Sequence, residues 1–292
     1  MPPSAFVLVL VSAVLHATWN FLLKRAGGTQ QVVALSKVAE AVLLAPVFAW
    51  GFASALPDAG TVLWYTGVAA TGVGLNYVFL AHAYRHGDLA VVYPMSRGAI
   101  LVFLPIAGWF ALGERVAPAG VSGLAAIVSG ILVLNLPAFS TGAVRALHTS
   151  LRSRATAYSI AAGLVAAGYT IWDKRAIRHL APFAYMYLYT VLVAMGYAAW
   201  LALRVAPVDV RHTWRSHRGS IVAIGLLNSC SYLLILLALR TGVTSYVLGM
   251  RQLSIAVGVA LGGWLLGERL TRPRLCGVAL IVAGCLVVTM VA

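Results

Sequence analysis

Long apolar stretches separated by short polar or charged breaks run along the whole chain. Cutting at these breaks predicts ten helices, at residues 4–24, 31–52, 60–84, 89–111, 118–137, 155–174, 182–203, 219–239, 244–266 and 273–291. Most stretches have the length of about 20 residues that a helix needs to cross a bilayer, whereas barrel strands would have about 10 alternating residues. The pattern therefore predicts an all-α integral membrane protein with ten transmembrane helices.

The second half of the chain repeats the first. A shift of 150 residues near the start of each half, then 155, then 154 after one dropped residue, aligns identical residues. The pairs are Lys24 and Lys174, Tyr77 and Tyr232, Arg85 and Arg240, Gly87 and Gly242, Met95 and Met250, Gly108 and Gly263, Trp109 and Trp264, Glu114 and Glu268, Gly123 and Gly277, and Gly130 and Gly284. We predict a first five-helix repeat at residues 1–137, a linker at 138–154 and a second five-helix repeat at 155–292.

The number of helices per repeat predicts how the two repeats lie in the membrane. Because five is odd, the second repeat enters the membrane from the opposite side. The two five-helix repeats are therefore predicted to be inverted, an architecture typical of secondary transporters whose substrate lies near the midplane between the repeats.

Composition agrees with a membrane protein and limits its partners. The chain is 61% hydrophobic and 10% charged, whereas charged residues make up about 25% of a soluble domain. The net charge of +14 lies in short basic clusters between apolar spans, which is typical of orientation signals beside anionic lipid. We expect membrane lipid as a partner and no nucleic acid. The start of the chain lacks the basic region of a cleavable signal peptide, so we interpret it as the first spanning helix.

Two arginines lie inside predicted spans, Arg97 in the fourth helix and Arg251 in the ninth. An ionised residue at such depth is costly, and by default it indicates a ligand or ion pathway. A guanidinium group binds a carboxylate, phosphonate or phosphate in bidentate fashion. Alternatively, either arginine extends to the interface or pairs with Glu40 as part of the structure. The inverted repeat predicts that both arginines face one central site.

Glu40 is the only acid well inside a predicted span. A buried carboxyl group can exchange protons near neutral pH, so Glu40 is a candidate for proton coupling. Lys37 lies three residues earlier on the same helical face, and a structural ion pair is the alternative interpretation.

Other polar residues at mid-depth are candidates for substrate contact. On the first helix, a polar stripe is predicted to line a cavity or to bond a neighbouring helix. Further candidates could contact substrate or hold helices together, and Tyr93 is expected to shape the pocket. The stripe is His16, Trp19, Asn20 and Lys24, and the further candidates are Asn76, Tyr77, Asn228 and Tyr232.

Further residues near the ends of predicted helices are expected to have structural roles. Pro94 and Gly249 precede the two arginines and are expected to weaken the fourth and ninth helices there. The tyrosines Tyr185, Tyr187 and Tyr189 are expected to form part of an interfacial belt. Glu114-Arg115 and Glu268-Arg269 are interpreted as locks between helix ends and loops.

No sequence signature of an enzyme is present. The chain contains no HExxH, GxSxG or GxxxxGK[ST] motif. Cys230, Cys276 and Cys285 fall inside predicted helices without metal-ligand spacing. We therefore expect neither catalysis nor a cofactor nor a metal site.

These features together resemble a known family. Ten helices in two halves, each with L-G-E-R at the end of its fourth helix and a glycine-rich fifth helix, resemble the EamA-type branch of the drug/metabolite transporter superfamily. The opening His16-Ala17-x-Trp19-Asn20-x3-Lys24 resembles a first-helix pattern of that branch. The resemblance implies alternating access, small metabolites, often exported, and both termini in the cytoplasm. The positive-inside rule favours both termini outside instead, by thirteen basic residues against five.

The sequence thus predicts a secondary transporter for a small anionic or zwitterionic metabolite in the bacterial cytoplasmic membrane. The amino-acid-like substrate would be moved by alternating access, with proton coupling through Glu40 as one option. Two alternatives stay open: a transporter of organic cations or drugs, and an intramembrane lipid-handling protein.

Overall fold

The computed structural model describes residues 2–87, 89–136, 138–140, 142 and 152–291, and this part of the chain is helical without any strand. It contains one short 3-10 helix, Ala53–Ala55, and eleven α-helices. The helices are α1 (Pro3–Arg25), α2 (Gln30–Gly51), α3 (Ala59–His86), α4 (Leu89–Leu112), α5 (Pro118–Leu134), α6 (Arg154–Ala176), α7 (Pro182–Arg204), α8 (Pro207–Leu239), α9 (Thr244–Arg251), α10 (Leu253–Leu266) and α11 (Arg272–Val291). The predicted all-α class is confirmed, and most of the predicted linker lies outside the described residues.

Seven stretches of the described residues are long and apolar enough to cross a membrane. They lie in α1, α2, α4, α7, α8, α11 and the α9–α10 pair. The helix α5 is equally apolar but has only 17 residues. The many exposed large apolar side chains, such as Trp50, Phe110 and Trp264, are those expected of a surface that faces lipid.

Local sequence explains where the helices begin. Thr29 and Asp58 accept hydrogen bonds from backbone N–H groups of α2 and α3, at 3.3 Å and 2.9 Å, and so cap these helices. Proline opens α1, α5, α7 and α8, where its missing N–H group removes no intrahelical bond.

The eighth helix starts 12 residues before the predicted residue 219. The helix limits predicted from the sequence leave the basic segment 204–218 between the seventh and eighth helices, and that prediction is wrong from Pro207 onwards. Pro207 at the first position and Asp209 in the first turn favour a helix start. The polar residues that follow therefore extend α8 beyond its apolar stretch.

The predicted ninth helix is interrupted just after its arginine. α9 ends at Arg251 and α10 begins at Leu253, so Gln252 separates them. The backbone N–H of Gln252 bonds to Gly249 O at 3.0 Å, a three-residue step that tightens the turn. The predicted weak point in the first half does not interrupt α4, which continues through Pro94 and Pro105.

Glycines let α5 and α11 approach closely. A Cβ atom at Gly130 would lie 2.7 Å from Gly277 O, and one at Gly284 would lie 2.5 Å from Gly123 O. At such distances the two backbones are in contact, as in small-residue interfaces between membrane helices.

We predict that Gly130→Ala destabilises the protein. The added methyl group would meet both Gly277 O and the Ile281 side chain, and such overpacking costs about 1–3 kcal/mol. Thermal unfolding in detergent measures the effect. The matched control is Gly67→Ala on α3, where nothing lies within 4 Å of the added atom. Equal melting temperatures for the two variants would contradict the proposed close contact.

Candidate functional site

A polar cavity of about 240 Å³ lies inside the bundle. Eight helices contribute to it: α1, α2, α3, α4, α6, α7, α8 and α9. The lining residues are His16, Trp19, Lys37, Val73, Asn76, Tyr77, Leu80, Tyr84, Ser96, Arg97, Ile100, Gly163, Ala166, Tyr169, Tyr189, Thr190, Val193, Asn228, Tyr232 and Arg251. The cavity therefore combines cationic, amide and phenol groups with a mostly apolar remainder.

The structure brings most of the predicted site residues to this cavity. Those in the lining are Arg97, Arg251, His16, Trp19, Asn76, Tyr77, Asn228, Tyr232 and Lys37. Asn20 is exposed and absent from the lining, and its amide donates to the backbone carbonyl of His16 at 2.7 Å. Glu40 does not line the cavity itself but contacts Lys37, which does. The side chain of Tyr93 lies outside the described part of the structure.

Arg251 connects α9 to α1 and α8. Its Nη2 donates to His16 Nδ1 at 3.2 Å, and its guanidinium carbon lies 5.6 Å from the centre of the Tyr232 ring. Trp19 Nε1 donates to the same His16 nitrogen, also at 3.2 Å. Because indole and guanidinium N–H groups can only donate, Nδ1 is the acceptor and His16 is neutral in this arrangement. The Nε of Arg251 is buried and has no hydrogen-bond partner among the described residues.

Glu40 and Lys37 form an ion pair beside the cavity. Lys37 Nζ lies 2.9 Å from Glu40 Oε2, and the Glu40 side chain is 1% exposed. Thr190 and Asn228 donate longer hydrogen bonds to the same carboxylate, at 3.4 Å and 3.5 Å. The ion pair considered from the sequence is thus present within α2, and the hydrogen bonds from Thr190 and Asn228 connect it to α7 and α8.

A second buried acid, Asp173, was missed in the sequence. The helix α6 continues to Ala176, so Asp173 is not terminal, and it is only 2% exposed. Its Oδ1 accepts from Tyr185 Oη at 2.6 Å, and its Oδ2 accepts from the Tyr232 hydroxyl. No local spacing in the sequence signals this acid, because the two tyrosines that bind it lie on two other helices.

The tyrosines of α7 do not form an interfacial belt. Tyr185 is fully buried, Tyr189 lines the cavity, and Tyr187 stacks on Phe48 with ring centres 4.6 Å apart. The belt prediction is therefore wrong, because Asp173 supplies an acceptor inside the protein for the phenol of Tyr185.

The two L-G-E-R motifs form turns with the same conformation. Gly113 and Gly267 have φ angles of 69° and 65°, a left-handed conformation that favours glycine. Glu114 N bonds to Gly108 O, and Glu268 N bonds to Gly262 O, both at 3.1 Å. The shift of 154 residues therefore already holds at Gly108, earlier than the sequence pairing of Trp109 with Trp264 indicated.

Both glutamates pair with a lysine from another helix. Glu114 lies 2.5 Å from Lys174 Nζ, and Glu268 pairs with Lys24. Glu114 also accepts from Thr244, the first residue of α9, whereas Glu268 follows α10. The two ion pairs thus lie at opposite ends of the α9–α10 span, which we name the Lys174 end and the Lys24 end.

These features define a class of protein: a membrane protein, helical throughout its described residues, with a cationic, aromatic cavity between its helices. Residues 154–290 match the model of the EamA-like transporter family. Over this second half of the chain, the match confirms the resemblance seen in the sequence, to a family that is part of the drug/metabolite transporter superfamily.

The fold is also found among solved structures. A crystal structure superposes with a TM-score of 0.76 at 18% sequence identity, covering 100% of this chain and 98% of that chain. At this identity the likeness concerns the fold alone. No curated protein matches the chain.

We predict strong coupling between Lys37 and Glu40. Lys37→Met alone leaves a buried carboxylate without its cation, a loss of about 3–5 kcal/mol, whereas the double variant Lys37→Met, Glu40→Gln removes both charges together. Urea or thermal unfolding in detergent measures the effect, and the double variant should be more stable than Lys37→Met. Additive effects of the two substitutions would show that the ion pair contributes little.

Proposed function

We propose that the protein is a secondary transporter that moves a small anionic or zwitterionic metabolite across the membrane by alternating access. The observation that carries this proposal is the cavity itself. Two guanidinium groups, from Arg97 and Arg251, reach it from different helices, in a chain whose family is one of membrane transporters.

Charge favours an acidic cargo over a cationic one. None of the twenty described lining residues is an acid. The nearest carboxylates, Glu40 and Asp173, are engaged by Lys37 and by two tyrosine hydroxyls. An organic cation in the cavity would therefore approach the like charges of Arg97 and Arg251, at an unfavourable Coulomb energy.

Cargo recognition would use the polar groups around Arg251. A carboxylate or phosphonate would bind the guanidinium fork, and the buried Nε of Arg251 would gain an acceptor. Tyr77, Asn76 and Asn228 would supply neutral hydrogen bonds, and Trp19 and Tyr232 would supply apolar faces.

Inverted repeats are part of this proposal. Three contacts between the halves each have a counterpart in which both residues are replaced by their equivalents from the other half. A two-fold relation between the halves produces such counterparts. The exchanged contacts are Lys24–Glu268 with Lys174–Glu114, Gly123–Gly284 with Gly277–Gly130, and the hydrogen bond from Asn76 to Ala162 O with that from Ser231 to Ser12 O.

Proton coupling would involve Glu40, as the sequence suggested. Its carboxylate sits between Lys37, which lines the cavity, and Asn228, which lines it from α8. Cargo that attracts Lys37 would weaken the ion pair, and a proton would then replace the lysine charge on Glu40.

The test begins with a panel of amino acids, carboxylates, phosphonates and amines in a thermal-shift screen, because only compounds that bind the folded state raise its stability. For an acid identified in this way, we predict that Arg251→Ala or Arg97→Ala weakens binding about tenfold to a hundredfold, the loss of a charge-assisted contact of about 1.5–3 kcal/mol. Arg204→Ala, at the end of α7, is the matched control for lost charge.

Proteoliposome uptake of the same acid then tests transport. Unchanged affinity and rate in Arg251→Ala and Arg97→Ala would contradict the anchoring role. Uptake driven by a pH gradient tests coupling separately, since Glu40→Gln should abolish the dependence on the gradient while cargo still binds. Amines that stabilise the protein when acids do not would overturn the assignment of an anionic cargo.

A further inference from the structure

Two consecutive residues in the last turn of α6, Asp173 and Lys174, bind two other helices and two turns. Asp173 accepts hydrogen bonds from Tyr185 on α7 and Tyr232 on α8. Lys174 pairs with Glu114 beyond α4 and donates to Gly242 O, in the turn between α8 and α9, at 2.6 Å. The last turn of α6 therefore holds together the segments that meet at the Lys174 end of the bundle.

Glu114 completes this cluster from the other side. Its Oε2 accepts from the backbone N–H of Thr244 at 2.8 Å, and its Oε1 accepts from the Thr244 hydroxyl at 2.8 Å. The side chains of Lys174 and Glu114 are each only 11% exposed. A pair this enclosed is little screened by solvent and holds the start of α9 in place.

The cluster lies between the cavity and the Lys174 end. Along α6 the lining stops at Tyr169, one turn before Asp173. In the other direction the lining continues along α3 to Tyr84, two residues before that helix ends. A Cβ at Gly87 would touch Ala155 at the start of α6, so Tyr84 lies far from the Lys174 end. The cavity thus extends away from the cluster.

We propose that Asp173 and Lys174 form the gate at the Lys174 end, with Glu114, Tyr185 and Tyr232 as the groups that they hold. The proposal rests on the alternating access proposed above. Asp173 closes the inner layer and Lys174 the outer layer, and both must part for the cavity to reach this end.

The cavity is connected to the gate through Tyr232. The ring of Tyr232 lies under the Arg251 guanidinium while its hydroxyl donates to Asp173. An anion bound to Arg251 would draw the guanidinium off the ring and shift Tyr232 together with the hydrogen bond to Asp173. Cargo bound to Arg251 would thereby influence Asp173, the inner layer of the gate, through the single side chain of Tyr232.

The ion pair at the Lys24 end supplies a matched comparison. Lys24 and Glu268 are 63% and 28% exposed, and Glu268 also binds Arg274 at 3.3 Å. The hydrogen bond from Lys24 lowers the pKa of Glu268 below its usual value, yet exposure of this kind leaves an ion pair weak. Removing Lys24 should therefore have little effect on access from either side.

The experiment measures access to the cavity from each face without any cargo. A reporter cysteine replaces Tyr169 in a background where Cys230, Cys276 and Cys285 are serine. Proteoliposomes are then treated with a membrane-impermeant maleimide outside or trapped inside. We expect labelling from the face on the Tyr84 side and slow labelling from the Lys174 end.

Lys174→Met, Glu114→Gln and Asp173→Asn should each raise the labelling rate from the Lys174 end by about tenfold, the effect of losing a hydrogen bond to a charged group. Lys24→Met should leave it unchanged, and Lys174→Arg, which keeps the charge, should restore slow labelling. Hydrogen exchange of the Thr244 amide should accelerate with the same variants.

A static lock would give a different pattern. Lower melting temperatures with labelling and amide exchange unchanged from the Lys174 end would overturn the gate, as would equal effects of Lys24→Met and Lys174→Met. Where Lys174→Met does not fold, Glu114→Gln decides by the same readouts. Cysteine labelling tests the gate in the absence of cargo, whereas transport is tested only by the uptake assay. Failure of the gate proposal is therefore distinguishable from failure of the transport proposal.

Discussion

Burying positive charge among apolar helices is the constraint on which the centre of this protein depends. Arg251 meets it with groups from three helices: the neutral acceptor His16, the ring of Tyr232 and the helix break behind its own residue. Ionised groups in a membrane interior are tolerated only where protein or water replaces bulk solvent. His16, Tyr232 and Arg251 all line the polar cavity, so the placement of this guanidinium accounts for the neutral acceptor and the aromatic ring beside it.

The apolar pattern was sufficient to predict the helices, because spanning segments must satisfy their backbone internally and reveal themselves by length. The apolar pattern failed where a helix begins or ends for reasons other than hydropathy. The first turns of α8 are polar and lie past the apolar stretch, so hydropathy gave no reason to include Pro207–Arg218, although the proline and Asp209 mark a helix start. The break at Gln252 was anticipated only as a weak point at Gly249, three residues earlier, because an average of hydropathy does not register a single interrupting residue.

The candidate site was predicted better for cations than for acids. Arg97 and Arg251 are each the only charged residue of their predicted span, and Lys37 shares its span only with Glu40, a signal that sequence inspection finds readily. Asp173 stands next to Lys174 and Arg175, near a predicted helix end, and there an acid is ordinarily solvated. Its burial is decided by the approach of α7 and α8, whose tyrosines bring the hydroxyl groups. Contacts between distant segments of this kind cannot be inferred from local spacing.

The two ends of the bundle show how equivalent positions acquire different strengths. Each carries a lysine from a helix end and a glutamate from an L-G-E-R turn of the same backbone conformation. At the Lys174 end, Thr244 and Gly242 add backbone partners in an enclosed setting, so that each charge has several hydrogen bonds. At the Lys24 end, solvent and Arg274 compete for Glu268. Desolvation strengthens an ion pair that has several hydrogen bonds, and solvent weakens an exposed one. Burial rather than residue type therefore distinguishes the enclosed Lys174–Glu114 pair from the Lys24–Glu268 pair at the surface.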